Sequence, residues 1–201
     1  MTGSDTTAYS LAVAITQIAK NSRIAKRFVE ALDASAINAE SLPSLVDLEQ
    51  IEYLNASVRE AVRFAIASPG RLPRIVPRNG PPLVVDGQVV PPGSVIGMSA
   101  YTMNFSTELW GEDAHTFNPE RWLGAGGNAL DTNMCSFSKG VRSCLGQNLA
   151  YAEMHYILAY LFKKYEVGLV DKEAKMEVLD RFTSFVNSHG LMVDLERREA
   201  R

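Results

Sequence analysis

The segment from Phe137 to Gly146 constrains this chain more than any other part of its sequence. It has the form Phe-x-x-Gly-x-Arg-x-Cys-x-Gly, and it delivers one thiol, that of Cys144, to the start of a long apolar run. The positive end of a helix dipole and unpaired backbone N–H groups both favour a thiolate at such a position. The pattern therefore predicts a metal-binding thiolate, with an ordinary buried cysteine as the alternative.

Length, charge and cysteine usage narrow the class of protein. The 201 residues carry a formal net charge of -3, so no basic field suggests a nucleic-acid partner. Cys135 and Cys144 form neither a disulfide framework nor a CxxC pair, which fits a reducing, intracellular compartment. Cys135 is interpreted as a small packing residue. The sequence shows no signal peptide and no apolar run long enough for a membrane span.

Hydrophobic spacing predicts mainly helices with small β-sheets, an α+β class. Helices are expected at about 4–19, 23–32 and 48–66, and a long helix follows Cys144. Short strands interrupted by proline and glycine are expected at 72–76, 83–85, 89–90 and 95–100, before an irregular stretch at 111–127. The last strands are expected at 166–170, 182–186 and 191–193, with a turn at 187–190 joining the final two.

We interpret residues 1–201 as one domain in four consecutive parts. These are a helical part (1–66), a part with strands and an irregular meander (67–130), the cysteine loop with its helix (131–163), and the C-terminal strands (164–201).

Two further patterns have modest meaning when each is taken alone. Glu60-Ala-Val-Arg63 places an acid and a base on one face of a predicted helix, where an ordinary surface ion pair is the simplest interpretation. Gly3-Ser-Asp-Thr-Thr7 supplies side chains that commonly cap a helix N-terminus.

Together, the three patterns resemble the cytochrome P450 superfamily of haem-thiolate monooxygenases, and fungal members most of all. The landmarks run in the family's order over essentially the whole chain. The resemblance covers only the C-terminal half of that fold, because Gly3 corresponds to a position inside the family's distal, oxygen-binding helix. An internal start codon in a longer gene and a truncated gene copy would both explain this, and both remain open.

The resemblance implies that Cys144 is the axial ligand of haem b, whose thiolate favours O–O cleavage. It places Phe137 against the proximal side of the haem, as a shield for the iron–sulfur bond. Gly140 would permit the tight backbone that directs N–H groups at sulfur. Gly146 would let the helix approach the porphyrin without a Cβ in the way.

The same resemblance assigns roles to charged residues around the haem. Arg142 and Arg74 would bind the haem propionates, since a guanidinium offers a fixed fork of donors. Asp5 and Thr6 would relay protons to the oxygen-binding face as general acids.

Glu60, Arg63 and Arg121 correspond to a buried structural triad of the family. Arg121 comes from Phe117-Asn-Pro-Glu-Arg-Trp122, which is similar to the loop that supplies the third member. The triad would order the proximal side and help haem incorporation.

The resemblance implies a monooxygenase that inserts one oxygen atom of O2 into a C–H bond of a small apolar organic substrate, in secondary metabolism. Electrons would come from NADPH through a flavoprotein reductase, and full-length family members typically reside at the endoplasmic reticulum membrane. The alternatives are a truncated paralogue that binds without turnover and a thiolate-haem sensor. Because half of the family fold is absent, we expect open apolar faces on the three main helices and weak or absent haem retention by the chain alone.

Overall fold

Helices dominate the computed structural model, which describes residues 3–37, 42–173, 176, 178–186 and 191–199. The α-helices are α1 (Ser4–Lys20), α2 (Ser22–Ala34), α3 (Leu45–Glu49), α4 (Glu52–Ala65), α5 (Ala100–Asn104), α6 (Thr107–Trp110), α7 (Gly124–Ala129) and α8 (Gln147–Lys164). Short 3-10 helices lie at Pro119–Trp122, Leu130–Asn133 and Gly140–Arg142. The predicted class, mainly helical with small sheets, is confirmed.

The strands pair two by two, and each pair is antiparallel. The pairs are β1 (Arg74–Ile75) with β4 (Val95–Ile96), β2 (Leu83–Val85) with β3 (Gln88–Val90), β5 (Tyr165–Leu169) with β8 (Val193–Arg197), and β6 (Val178–Arg181) with β7 (Thr183–Val186). In the longest pair the register runs from Tyr165 opposite Arg197 to Leu169 opposite Val193. The strands thus form four separate two-stranded sheets, of which β5 packs against α1 and α8, and β7 against α1.

Four helices, α1, α2, α4 and α8, supply most of the core. Ile18, Phe28, Leu54 and Phe162 are almost completely buried and belong to a single apolar cluster. The rings of Phe28 and Phe162 meet edge to face, with their centroids 5.1 Å apart. Burial of each such side chain contributes about 1.5–3 kcal/mol, so apolar packing holds α4 and α8 in the positions from which they support the site.

The predicted third helix, at 48–66, is in fact two helices, α3 and α4. Ser44 starts α3 early because it forms a capping box with Asp47, in which each residue accepts a hydrogen bond from the other's backbone N–H. Ile51 then adopts extended backbone and separates the two helices, and Ile66 ends α4 with a left-handed φ of 46°.

The predicted hairpin between the last two strands is wrong. The strand at 183–186 pairs with β6, and β8 pairs with β5. A tight turn explains the difference: Phe182 has a φ of 75°, and its N–H donates to Asp180 Oδ1 at 2.9 Å. The predicted turn at 187–190 lies outside the described residues.

The expectation of open apolar faces on all three main helices is not met, although exposed apolar side chains do lie beside the cysteine. Residues of α4 are buried along almost the whole helix. Val141 and Leu145, on either side of Cys144, are completely exposed, and Leu149 is 64% exposed. Among the described residues, no helix has both the length and the apolar character needed to cross a membrane.

Candidate functional site

The loop that carries Cys144 is closed by its own backbone. The N–H of Cys144 donates to the carbonyl of Phe137 at 2.8 Å, and the N–H of Ser143 donates to the carbonyl of Gly140 at 3.0 Å. Gly140 has a φ of 70°, which glycine adopts without the steric cost that a Cβ would bring. The chain therefore turns back sharply and holds the thiol at the end of a short, internally bonded loop.

Helix α8 begins at Gln147, three residues after Cys144. Gly146 occupies the N-cap position with a φ of -86°, and a Cβ built there would lie 3.9 Å from Cys144 Sγ, an ordinary contact. Both cysteines are free thiols, but Cys144 is exposed while Cys135 is half-buried. The thiol of Cys144 is therefore the accessible one.

A cavity of about 220 Å³ lies in front of Cys144, between α1 and the cysteine loop. The lining from α1 is Thr6, Thr7 and Ser10, and the lining from the loop is Ser136, Phe137, Ser138, Arg142 and Cys144. The remaining lining comes from Val62, Ala67, Ser68, Leu72, Ala150 and Met154. The polar residues of α1 therefore lie across this cavity from the thiol of Cys144 and the guanidinium of Arg142.

The structure brings together part of the predicted site. Thr6, Phe137, Arg142 and Cys144 all line the cavity. Phe137 is braced from behind by Tyr151, with ring centroids 5.3 Å apart, and burial raises the pKa of Tyr151 to about 12. The aromatic wall beside the thiol is thus fixed by packing.

Asp5 and Arg74 lie outside the lining of this cavity. Asp5 is exposed in the first turn of α1. Arg74 is exposed in β1, and its Nη1 donates to the backbone carbonyls of Leu72 and Pro73 at 3.2 and 3.0 Å. Only Leu72 of these four residues reaches the cavity wall.

The hydroxyl groups of α1 bind the helix's own carbonyls. Thr6 Oγ1 and Thr7 Oγ1 donate to the carbonyl of Gly3 at 2.9 and 3.2 Å, and Ser10 Oγ donates to the carbonyl of Thr6 at 3.0 Å. The N-cap position belongs to Gly3, without a side-chain cap. These hydroxyls form a polar, hydrogen-bonded wall of the cavity.

Glu60, Arg63 and Arg121 lie together in one buried network. Arg63 Nε and Nη2 donate to the two carboxylate oxygens of Glu60 at 2.9 and 2.8 Å, and both side chains are fully buried. Arg121 Nε donates to Glu60 Oε1 at 3.2 Å. The bidentate geometry between Arg63 and Glu60 is the strong form of the arginine–carboxylate interaction.

Arg63 and Arg121 also bind the backbone and side chains of the meander that follows β4. Arg63 donates to the carbonyls of Asn104, Ala114 and Thr116 at 2.6, 2.8 and 3.2 Å. Arg121 forms an ion pair with Asp113 at 3.0 Å. Burial alone would raise the pKa of Asp113, but a hydrogen bond from Asn118 and the charge of Arg121 hold it below its usual value.

Sequence reasoning missed further partners of Glu60. The indole N–H of Trp122 donates to Glu60 Oε2, and the backbone N–H of Asn118 donates to Glu60 Oε1, both at 2.8 Å. Both residues belong to the segment that supplied Arg121. That motif could have pointed to them, although their bonding depends on a contact about sixty positions away.

Asn104 and Ser136, also missed, connect this network to the cysteine loop. Asn104 is fully buried and donates to Ser136 Oγ at 2.7 Å. Ser136 Oγ in turn donates to the carbonyl of Val62 at 2.7 Å. Neither residue belongs to a local pattern that could have identified it.

Comparisons with known proteins all give one family. The family model described as Cytochrome P450 matches residues 1–192. The chain is 34% identical over 179 residues to the cytochrome P450 monooxygenase aneF of Aspergillus aculeatus, an alignment that covers 89% of this chain and 36% of the relative.

Two other fungal relatives give the same result. The identity is 33% over 187 residues to the cytochrome P450 monooxygenase phqM of Penicillium fellutanum, covering 90% of this chain and 34% of the relative. It is 34% over 186 residues to the fusicoccadiene C-8 hydroxylase of Alternaria brassicicola, covering 92% and 35%. The chain therefore spans about a third of the length of these curated relatives.

Proposed function

Because this chain belongs to the cytochrome P450 family, we propose that it supplies the haem-binding part of a monooxygenase. The reaction inserts one oxygen atom of O2 into a C–H bond of a small apolar organic substrate of secondary metabolism. The observation that carries the proposal is the exposed Cys144 thiol on the wall of the cavity below α1. A relative that hydroxylates fusicoccadiene at C-8, by its name, supports the substrate class.

The residues around the cavity fit haem b. Cys144 offers a single soft sulfur ligand, and Arg142 on the same wall offers a guanidinium for a propionate. Arg74 would reach the second propionate by leaving the backbone carbonyls that it now binds. When bound, the haem supplies the one-electron and O2 chemistry, which no side chain can supply.

The first turn of α1 contains the residues to which we assign proton delivery. Thr6 lines the cavity, and its hydroxyl donates a hydrogen bond to the carbonyl of Gly3. Asp5, the preceding residue, is exposed and can exchange protons with water. We assign to this pair the transfer of protons from solvent to the cavity.

Glu60, Arg63 and Arg121 act as scaffold in this proposal. None of the three lines the cavity, but they fix the meander and, through Asn104, the start of the cysteine loop. Electrons are assigned to NADPH and a flavoprotein reductase on the strength of family membership.

The test is spectroscopic and uses the chain as it is. With haem in excess, reduction and carbon monoxide should give the red-shifted, thiolate-type Soret band. Cys144→Ser should abolish the band, while the matched variant Cys135→Ser, at a half-buried thiol outside the cavity, should keep it. Absence of the band from the wild-type chain, or its survival in Cys144→Ser, would overturn the proposal.

A second candidate, haem binding without turnover, is favoured by the complete exposure of Val141 and Leu145 beside Cys144. Water can then reach the thiol of Cys144, so the site does not exclude water from the bound haem as turnover requires. Oxidation of an apolar terpene or alkaloid in the presence of NADPH and a flavoprotein reductase would support the first function. An intact Soret band with no product and no substrate-dependent NADPH use would support the second.

A further inference from the structure

Asn104, the last residue of α5, has a side chain that lies between the buried ion-pair network and the cysteine loop. Its Nδ2 donates to the backbone carbonyl of Arg63 at 3.0 Å and to Ser136 Oγ at 2.7 Å. Its Oδ1 accepts from the N–H of Cys135 at 3.2 Å. Both amide protons and one carbonyl lone pair of a fully buried side chain are therefore used.

The backbone of Asn104 is held from the same side. Arg63 Nη1 donates to the carbonyl of Asn104 at 2.6 Å, so the two residues exchange hydrogen bonds in both directions. Because Arg63 is itself fixed by the carboxylate of Glu60, Asn104 has little freedom to move. The end of α5 is thus attached firmly to α4.

From Asn104 the contacts continue into the loop. Ser136 Oγ donates to the carbonyl of Val62 in α4 at 2.7 Å, which fixes the residue before Phe137. The carbonyl of Phe137 accepts the N–H of Cys144. A displacement of residues 135–136 would therefore move the acceptor that closes the loop around the thiol.

We propose that Asn104 is a positioning residue that sets the direction of Cys144 toward the cavity. It does so by holding residues 135–136 against α4, and it acts only through the loop, since it does not line the cavity. The inference deepens the proposed function, on which its meaning for haem binding rests. Its geometric part can be tested without haem.

A purely stabilising role would have a different signature. Loss of a stabilising contact makes global unfolding more frequent, so amide exchange accelerates throughout the molecule. Loss of a positioning contact makes local opening of one loop more frequent, so exchange accelerates only there. Asn133 is a matched control, since its Nδ2 donates to the carbonyl of Leu109 at 3.1 Å in the segment just before the loop. Among the described residues it forms no hydrogen bond with Asn104 or Arg63.

The first experiment follows amide hydrogen exchange in the haem-free chain. Asn104→Leu, which keeps the volume but loses the hydrogen bonds, should speed exchange at the Cys144 amide about 5- to 10-fold, as expected for a lost hydrogen bond. Leu158, in the buried centre of α8, should change less. Asn133→Ala should leave Cys144 unchanged. Ser136→Ala removes only one link and should give a smaller change in the same direction.

Two results would overturn the inference. One is a Cys144 amide that exchanges at the wild-type rate in Asn104→Leu, or that already exchanges without protection in the wild-type chain. The other is equal acceleration at Cys144 and Leu158, which indicates general destabilisation. Should Asn104→Leu fail to fold, Ser136→Ala decides by the same comparison.

The second experiment separates this inference from the proposed function. At equal haem content, the fraction of haem with the thiolate-type Soret band should fall in Asn104→Leu but not in Asn133→Ala. A wild-type band that persists undiminished in Asn104→Leu contradicts the inference alone. A wild-type chain without the band contradicts the proposed function, and the exchange measurement then decides the position of the loop.

Discussion

The carboxylate of Glu60 and the guanidinium of Arg63 share two hydrogen bonds, of 2.8 and 2.9 Å, with neither side chain exposed to solvent. Arg121, Trp122 and the backbone of Asn118 complete the coordination of the carboxylate. Such a network offsets the cost of removing charges from water only while every partner is present.

Glu60→Gln should therefore be severely destabilising. The amide has nearly the same shape, but it leaves two arginines without their shared counter-charge, and its NH2 group faces donors. We expect a loss of about 3–5 kcal/mol in the free energy of unfolding, measured by urea denaturation of the haem-free chain.

The matched control for this prediction is Glu30→Gln. Glu30 lies 3.8 Å from Lys26 on α2, and both side chains are more than half exposed. Exposed pairs contribute little, so the change should stay below about 0.5 kcal/mol. Equal losses in the two variants would show that the buried network has no special role.

Gly140→Ala and Gly146→Ala should differ in their effect on stability. Gly140 has a left-handed φ of 70°, so a Cβ there should cost about 1–2 kcal/mol in thermal or urea unfolding. Gly146 has an ordinary φ, and its new Cβ would make an ordinary contact with Cys144 Sγ. We expect Gly146→Ala to cost less than about 1 kcal/mol and to weaken haem binding more than folding. A larger stability loss at Gly146 would contradict this.

Arg142→Ala should separate binding from folding. The side chain of Arg142 is exposed, lines the cavity and makes no hydrogen bond or ion pair with the described residues. Its loss should change the free energy of unfolding by less than about 0.5 kcal/mol. Haem affinity, followed by titration of the Soret band, should fall because the propionate loses its cation. Unchanged affinity would remove Arg142 from the proposed site.

Stability should decline in mild acid because of His155. Nδ1 lies 2.7 Å from the carbonyl of Tyr151, Nε2 has no hydrogen-bond partner in the described part of the chain, and burial lowers the pKa of the ring. Below the ordinary value of about 6.5, the unfolded chain binds a proton that the folded chain resists, so the free energy of unfolding falls until the folded pKa is reached.

Urea denaturation between about pH 5 and 8 measures this effect. His155→Gln cannot titrate, so its stability should be nearly flat over that range. The pKa values of Asp33, Asp113 and Glu120 are lowered, which confines their contributions to pH below about 5. The same slope in wild type and His155→Gln would assign the loss to other groups.

Residues of the site were predictable where a local pattern carries their chemistry. Cys144 follows from a loop of fixed spacing, and Glu60 with Arg63 follows from helical spacing. Asn104 could not be predicted, since its bonds to Arg63 and Ser136 span 41 and 32 positions and a single asparagine has no periodicity. Burial decides its role, and burial depends on the whole fold.

The small sheets were predictable in composition but not in pairing. β6 (Val178–Arg181) was missed because its four residues include Asp180 and Arg181, which favour other structures. β6 exists because the turn at Phe182 brings it alongside β7, and hydrophobic alternation in the sequence does not indicate that turn. The split between α3 and α4 was missed for a similar reason, since Ile51 looks helical in any pattern of apolar spacing.

The reach of Arg63 also has a consequence for synthesis. Its carbonyl partners lie 41, 51 and 53 positions further along the chain. A ribosome-bound chain that ends before residue 116 can pair Arg63 with Glu60 but cannot complete the bonds to all three carbonyls. The entropy cost of closing each long loop precedes the contacts that offset it. The anchor of the cysteine loop is therefore assembled late, so a stalled or clipped chain would leave the Arg63–Glu60 pair without the carbonyl acceptors that complete it.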